Sequence, residues 1–133
     1  MKNILIVSLL LTAIACAAPP KRIAAIVTEY RHNSHADVIV GRLLQTYTLD
    51  DKGKQPNLKL VSLYTDQVPK NDTSRKWAAK YGVPIYETVE ETLTLGTGKL
   101  AVDGILLVAE HGKYPKNASG NTTYPKRRLF DEV

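Results

Sequence analysis

The fold is decided by Ile23-Ala24-Ala25-Ile26-Val27 and by Ile105-Leu106-Leu107-Val108-Ala109, two stretches that have the length of a β-strand and contain only apolar side chains. A strand with one face in solvent alternates apolar and polar residues, whereas a strand buried on both faces is apolar throughout. We therefore expect both stretches to belong to a parallel sheet that helices cover on both faces.

Helical and extended patterns alternate around these two stretches. Ser34 can cap a helix that begins near His35. The apolar residues of that helix recur at helical spacing and are Ala36, Val40, Leu43 and Tyr47. The other predicted elements are strands over 58–64 and 84–86 and helices over 73–82, 88–95 and 126–133. This strict alternation predicts an α/β, Rossmann-like fold that is incomplete at its carboxyl end.

Residues 1–18 differ in composition from the rest of the chain. The stretch from Ile4 to Ala18 is uncharged and largely apolar, and it is shorter than the about 20 apolar residues of a membrane span. This pattern predicts a signal peptide over 1–18 and a Rossmann-like domain over 19–133. The protein would be exported and would be periplasmic, extracellular or lipid-anchored.

Two processing routes stay open for that signal peptide. Cleavage after Ala17 is one route, because Ala15-Cys16-Ala17 has the A-x-A pattern of a cleavage site. Lipid attachment at Cys16, the only cysteine, is the other route. Such a lipid would be the only means by which the protein contacts a membrane.

The chain carries a formal net charge of +5, but its basic residues are dispersed. Only Lys126-Arg127-Arg128 forms a run, and no aromatic side chains are interleaved with it. A nucleic-acid-binding surface requires clustered basic residues. We therefore expect a small-molecule substrate or a dinucleotide as the partner, expect no nucleic acid, and interpret the run as the solvated start of a helix.

The middle of the chain resembles a known enzyme family. The resemblance is carried by Ser74-Arg75-Lys76-Trp77-Ala78-Ala79-Lys80-Tyr81-Gly82-Val83-Pro84-Ile85-Tyr86, by the helix over 88–93 and by Val102-Asp103-Gly104-Ile105-Leu106-Leu107-Val108-Ala109. In order and spacing these elements resemble the N-terminal domain of the Gfo/Idh/MocA oxidoreductases. The resemblance implies a domain that binds NAD or NADP, and a second domain that shapes a sugar or cyclitol site. The family's catalytic lysine would follow a fifth strand past Val133, so no catalytic residue is assigned.

The turn after the first strand departs from that family. Dinucleotide-binding domains carry a G-x-G-x-x-G turn there, because glycine lets the backbone approach the pyrophosphate. In this chain the turn is Thr28-Glu29-Tyr30-Arg31-His32-Asn33-Ser34-His35, which contains no glycine. A second hypothesis therefore stands beside cofactor binding, namely a non-enzymatic protein that keeps the scaffold and binds an anionic or sugar ligand.

Ligands of open α/β sheets collect at the carboxyl ends of the strands, so the candidate binding residues are those that follow each strand. They are Thr28, Arg31, Ser34, His35, Asp66, Glu110 and His111. Asp66 ends the second strand, where an acidic side chain can bind an adenosine ribose; the alternative is that it caps the loop before Pro69. Arg31, Ser34 and His35 lie at a predicted helix start, which favours an anion; the alternative is that they only cap and solvate that start.

All three histidines of the chain fall at this predicted edge, together with three carboxylates. They are His32, His35, His111, Glu29, Asp66 and Glu110. Imidazole and carboxylate groups in one place are typical of a metal site or of an acid/base cluster. The spacing matches no recognised metal-binding motif, so we expect no metal and keep a metal-dependent hydrolase as the third hypothesis.

Overall fold

The computed structural model describes residues 18–48 and 52–133. In chain order the elements are β1 (Lys21–Val27), α1 (His35–Leu44), β2 (Leu58–Thr65), α2 (Ser74–Tyr81), α3 (Val89–Thr94), β3 (Gly104–Val108) and α4 (Lys126–Asp131). The predicted signal peptide, with Cys16, lies outside the described residues except for Ala18. Within the described ranges, no helix is long and apolar enough to cross a membrane.

The two apolar stretches form neighbouring strands of one parallel sheet. β1 lies in the centre and pairs with β2 on one side and with β3 on the other, which gives the order β2-β1-β3. The direction in which strands are added therefore reverses at β1. Such a reversal opens a crevice between the carboxyl ends of the two strands, here β1 and β3, where doubly wound sheets bind their ligands.

The structure has no strand over 84–86, where the sequence predicted one, but only a single bridge. Ile85 forms an isolated parallel bridge to Leu63 on the outer edge of β2. Leu63 N donates to Pro84 O at 3.0 Å, and Tyr86 N donates to Leu63 O at 3.0 Å. The pairing cannot extend towards the start of this segment, because Pro84 has no N–H to donate. The segment therefore borders the sheet without forming a ladder.

Helices cover the sheet on both faces, which confirms the predicted α/β, Rossmann-like architecture. The core on one face combines β1 with α1 and α2 and includes Ala25, Val27, Val40 and Ala78. The core on the other face combines β1 with α3 and α4 and includes Ala24, Ile26, Leu93 and Leu129. Successive residues of β1 thus alternate between two cores, which explains why this stretch contains no polar residue.

Helix α1 begins where the sequence predicts but ends earlier. Ser34 caps it, because Ser34 Oγ accepts a hydrogen bond from Asp37 N at 3.2 Å. After Leu44 the chain turns away, and Thr46 Oγ1 donates to the carbonyl of residue 48 at 2.8 Å. Tyr47, which was expected on the buried face, is therefore 61% exposed, and Leu44 is buried instead.

Candidate functional site

Thr28 joins the carboxyl ends of β1 and β3. Its N–H donates to Val108 O at 3.1 Å, and its hydroxyl accepts a hydrogen bond from His111 N at 3.3 Å. Its carbonyl accepts from Gln67 N at 2.8 Å. Thr28 is 1% exposed, so this predicted binding residue lies beneath the crevice and holds together the segments that form its floor.

A turn packed on an aromatic side chain follows β1 in place of a glycine-rich turn. Tyr30 is fully buried, and its carbonyl accepts from Thr73 N at 2.8 Å. Asn33 supplies the left-handed residue, with φ 57°, a conformation that asparagine adopts more readily than most residues other than glycine. Burial raises the pKa of Tyr30, so its hydroxyl stays protonated. Side-chain packing, rather than glycine, thus shapes the turn.

The start of α1 is occupied by groups of the chain itself. Ser34 Oγ accepts from Asp37 N and also from Arg31 N at 3.3 Å. The Asp37 carboxylate accepts from Asn33 N at 2.9 Å, so a negative charge already lies where the helix dipole favours one. Of the predicted anion-binding residues, Ser34 therefore caps the helix. Arg31 and His35 instead contact the residues that follow β3.

Five side chains meet between the ends of β1 and β3, and we call them the histidine cluster: Glu29, Arg31, His35, Glu110 and His111. Arg31 Nε donates to Glu29 Oε2 at 3.3 Å, and Arg31 Nη2 donates to His111 Nδ1 at 3.4 Å. His35 Nδ1 lies 2.6 Å from Glu110 Oε2. The ring centroids of His35 and His111 lie 4.8 Å apart. The fold therefore brings together candidates from both sides of the crevice.

His111 carries an unsatisfied polar atom in this cluster. Arginine has no acceptor, so His111 Nδ1 accepts the hydrogen bond from Arg31 and Nε2 bears the proton of the neutral ring. Nε2 is buried, and it has no hydrogen-bond partner among the described residues. Burial, and then the charge of Arg31, lower the pKa of His111 from its ordinary value of 6.5. The ring is therefore neutral near pH 7, and its buried N–H has no acceptor among the described residues.

Glu110 forms the side of the cluster that faces solvent. One of its oxygens lies beside His35, and the other lies 3.4 Å from Lys126 Nζ. Hydrogen bonds from Lys126 and then from His35 lower the pKa of Glu110, so this group is a carboxylate at neutral pH. About half of each of these three side chains is exposed, with fractions of 47%, 57% and 60% for Glu110, His35 and Lys126. A dissolved ligand can reach them.

An open groove of about 780 Å³ begins at these three side chains and follows β3, and we call it the β3 groove. His35, Glu110 and Lys126 line its polar end. Ile39 of α1 and Phe130 of α4 line its apolar part. The histidine cluster therefore opens into a cavity large enough for a small organic molecule.

Asp66 lies in a second group, the Asp66 cluster, which comprises Tyr64, Asp66, Tyr114 and Arg128. Asp66 Oδ1 accepts from the Tyr64 hydroxyl at 2.8 Å and from Arg128 Nη2 at 2.6 Å. Asp66 Oδ2 accepts from the Tyr114 hydroxyl at 2.6 Å. Burial alone would raise the pKa of Asp66, but the hydrogen bonds from Tyr114, Arg128 and Tyr64 lower it. Only 12% of the Asp66 side chain is exposed.

These contacts differ from both roles considered for Asp66 in the sequence. Its carboxylate bonds to Tyr64, Tyr114 and Arg128, not to the loop before Pro69, and it presents no free oxygen to a ribose in this conformation.

The basic run over 126–128 was interpreted as solvated, and this holds for Arg127, whose side chain is 93% exposed. Arg128 is about half exposed, and its guanidinium also reaches back across the sheet edge to Asp66.

His32 does not join the other two histidines. Its side chain is 84% exposed, and its Nδ1 lies 3.7 Å from Asp37 Oδ2 at the first turn of α1. Among residues 18–48 and 52–133, no three or more His, Cys, Asp or Glu side chains are arranged to hold a metal ion.

The two clusters lie close enough to interact. The pKa of Tyr114 is raised by burial, by its hydrogen bond to Asp66 and, to a smaller extent, by the charge of Glu29 in the histidine cluster. Together they form one polar edge above the crevice.

Comparison of the chain with models of protein families, with curated proteins and with solved structures finds no match.

Proposed function

We propose that this protein is a ligand-binding module on a Rossmann-like scaffold, and that it holds a small polyhydroxylated molecule of the sugar or cyclitol class at the histidine cluster. One observation carries the proposal. Beneath the half-exposed carboxylate, imidazole and ammonium groups of the crevice lies the buried Nε2 of His111, which has no hydrogen-bond partner among the described residues. Buried donors without a partner are rare in folded proteins and call for an explanation.

The charge balance of the site favours a neutral ligand over a phosphate. The two carboxylates, Glu29 and Glu110, pair with two basic side chains, Arg31 and Lys126. A dinucleotide pyrophosphate would therefore meet two negative groups that are already in place. A sugar hydroxyl can donate to a carboxylate and accept from an imidazole or guanidinium, so it can use both kinds of group.

The turn after β1 supports the same ligand class. Tyr30 fills the space beneath this turn, and the Asp37 carboxylate lies at the N-terminus of α1. These are the two features that a pyrophosphate site would leave open. A ligand without phosphates needs neither of them.

Calorimetric titration of the full chain with a panel of neutral sugars and cyclitols, and with the matching sugar acids, tests this proposal. We expect saturable binding of a neutral member at millimolar concentration or below, and at least a tenfold loss of affinity, about 1.4 kcal/mol, in Glu110→Gln. The matched control is Asp103→Asn, which alters a carboxylate paired with Arg22 at the opposite edge of the sheet. The proposal would be contradicted by an absence of saturable binding, or by equal affinity in Glu110→Gln and wild type.

The second candidate function is the one that the family resemblance implies, the binding of NAD or NADP by the first domain of an oxidoreductase. The position of Asp66 at the end of β2, beside the central strand, supports it. In this case the ribose hydroxyls replace the hydroxyl of Tyr114 and the guanidinium of Arg128 on the Asp66 carboxylate. Cofactor binding then competes with the hydrogen bonds that Tyr114 and Arg128 make to Asp66.

Fluorescence titration with NADH and NADPH distinguishes this candidate from the first. We expect the double variant Tyr114→Phe, Arg128→Gln to bind cofactor more tightly than wild type, because it frees Asp66. Replacement of Asp66 by arginine should shift the preference towards NADPH. Absence of binding at millimolar cofactor in both wild type and the double variant would exclude this candidate and leave the sugar proposal standing.

The N-terminal composition supports a proposal about location, namely that the protein is exported. Intact-mass measurement of the protein from its native host tests it and separates the two processing routes. Cleavage after Ala17 gives a chain that starts at Ala18, whereas lipid attachment gives a heavier chain that starts at Cys16. An uncleaved Met1 in the mature protein would contradict export.

A further inference from the structure

The chain between β3 and α4 crosses the carboxyl end of the central strand. It leaves β3 and reaches the end of β2, where Lys113 N donates to Gln67 Oε1 at 2.9 Å and Gln67 Nε2 donates to Lys113 O at 3.1 Å. Because β1 lies between β3 and β2 in the sheet, this path passes over the end of β1. Thr28, the first residue after β1, is buried there and bonds to His111 on one side and to Gln67 on the other. We call residues 112–125 the strap.

The strap contributes nothing to the two hydrophobic cores. Ala109 and Leu129 are buried, whereas none of residues 110–128, all of which the structure describes, is buried. Within the strap the chain bonds to itself, since Asn117 N donates to Asn121 O at 2.9 Å. Segments with few buried apolar contacts are those that open locally while the rest of a protein stays folded. The strap is therefore a small unit that can move without unfolding the domain.

Two side chains hold the strap on the end of β2. One is Gln67, through its two hydrogen bonds to Lys113, and the other is Tyr114, whose hydroxyl donates to Asp66 Oδ2 at 2.6 Å. Gly112, at the start of the strap, has φ 128°, and a Cβ at this position would overlap the Tyr114 ring. Glycine adopts such a φ readily, whereas other residues rarely do. The closed position of the strap therefore depends on glycine at 112.

We propose that the strap is a lid on the crevice, which swings open at Gly112 and admits a ligand to the buried N–H of His111. The histidine cluster has two layers: Glu110 and His35 are about half exposed, whereas His111 Nε2 is buried without a partner among the described residues. The strap begins at the residue after His111, so its opening uncovers the inner layer. A sugar hydroxyl held at the outer layer then supplies the acceptor that Nε2 lacks. The inference rests on the proposed function for the identity of the ligand.

Thiol labelling measures the opening without any ligand. In the full chain with Cys16→Ser, Thr28→Cys places the only thiol beneath the strap, and its rate of reaction with a soluble aromatic disulfide reports how often the strap opens. We expect Gly112→Ala to label about tenfold faster or more, because the added methyl group displaces the Tyr114 ring. Circular dichroism checks that each variant is folded.

Gly120→Ala is the matched control for the labelling rates. Gly120 also has a positive φ, of 80°, but a Cβ there meets nothing within 4 Å, so the rate should stay at the wild-type value. Equal rates in Gly112→Ala and Gly120→Ala would overturn the proposal. It would also be overturned if Thr28→Cys labelled as fast as Ser119→Cys, which places a thiol at an exposed position of the strap.

Hydrogen exchange on the unaltered chain measures the same opening and does not depend on the folding of Thr28→Cys. The N–H of Lys113 is held by the Gln67 side chain alone, whereas the N–H of Thr28 joins β1 to β3. We expect Lys113 to be protected about tenfold less than Thr28, and still less in Gln67→Ala. Gln45→Ala, at the end of α1, is the control and should leave Lys113 unchanged. Equal protection of Lys113 and Thr28 would contradict a strap that opens by itself.

Calorimetry of Gly112→Ala with the panel of neutral sugars and cyclitols separates this inference from the proposed function. If the crevice binds only when the strap is open, the affinity should rise by the same factor as the labelling rate, because both follow the open fraction. Unchanged affinity in a variant that labels faster would overturn the lid. A panel in which nothing binds would contradict the proposed function instead, and the labelling rates and hydrogen exchange would then decide alone whether the strap opens.

Discussion

The Asp66 cluster and the histidine cluster lie at the same edge of the sheet, but their polar atoms are used differently. In the Asp66 cluster both carboxylate oxygens accept short hydrogen bonds from the chain itself, and the carboxylate is nearly buried. In the histidine cluster the Nε2 of His111 is unsatisfied and Glu110 is half exposed. The comparison separates two uses of polar residues. The first, closed cluster satisfies its polar atoms within the chain, whereas the second, open cluster leaves a buried N–H without a partner and a carboxylate half in solvent.

The largest effect on stability is expected from Asp66→Asn, which breaks the closed cluster. The amide lacks the charge that holds Arg128, and its NH₂ group meets hydroxyl and guanidinium donors. We expect the free energy of unfolding to fall by about 2 kcal/mol, the usual cost when a charged hydrogen-bond partner is lost. Urea denaturation followed by circular dichroism measures it. Asp103→Asn, in an exposed pair with Arg22, is the control and should cost much less; an equal loss would show that the Asp66 cluster is not special.

Asp66→Asn should also change how the free energy of unfolding depends on pH in the acid range. Because the folded-state pKa of Asp66 is lowered, its contribution is fully present above the ordinary value of 3.8. It is lost as the pH falls from that value through the lowered pKa. Wild type should therefore lose stability relative to Asp66→Asn in this range, so that the two profiles converge at the acid end. Parallel profiles would contradict the role given to Asp66.

The sequence predicted the fold better than it predicted the closed cluster. The strands at 23–27 and 105–109 and the Ser34 cap depend on local patterns, namely unbroken apolar runs and a cap residue before a helix. Two of the three partners of Asp66 do not depend on local patterns. Tyr114 and Arg128 lie 48 and 62 residues away in the chain, and nothing near Asp66 in the sequence indicates them.

The open cluster was easier to predict, because topology alone brings its members together. Glu29, Arg31 and His35 follow β1, Glu110 and His111 follow β3, and parallel neighbouring strands place these residues side by side. His32 was expected in the same place, but a side chain in a turn can point to either side. The hydrogen bond from Asn33 N to Asp37 and the left-handed Asn33 fix this turn with His32 outside.

A smaller loss of stability is expected from Tyr114→Phe. This variant removes one of the three donors to Asp66 and leaves Arg128 and Tyr64 in place. We expect the free energy of unfolding to fall by about 1 kcal/mol, as for one ordinary hydrogen bond. Tyr124→Phe is the matched control, since its ring packs against that of Tyr114 outside the Asp66 cluster. Equal losses of stability in Tyr114→Phe and Tyr124→Phe would contradict the contribution that we assign to the hydrogen bond from Tyr114 to Asp66.

The smallest effect at neutral pH is expected in the open cluster, from His111→Phe. The phenyl ring keeps most of the packing and removes an N–H that has no partner in the described structure, together with the long 3.4 Å hydrogen bond from Arg31 to Nδ1, so little stability should be lost near pH 7.5. The difference should appear on acidification. Because the folded-state pKa of His111 is lowered from 6.5, its neutral form stabilises the fold above that value, and this stability is lost as the pH falls through the lowered pKa. Between 6.5 and the lowered pKa of His111, the free energy of unfolding of wild type should therefore fall relative to that of His111→Phe. Urea denaturation at a series of pH values measures this difference. The exposed His32→Phe should keep the wild-type profile, and a loss of stability at pH 7.5 as large as that of Asp66→Asn would place His111 in a closed cluster instead of an open one.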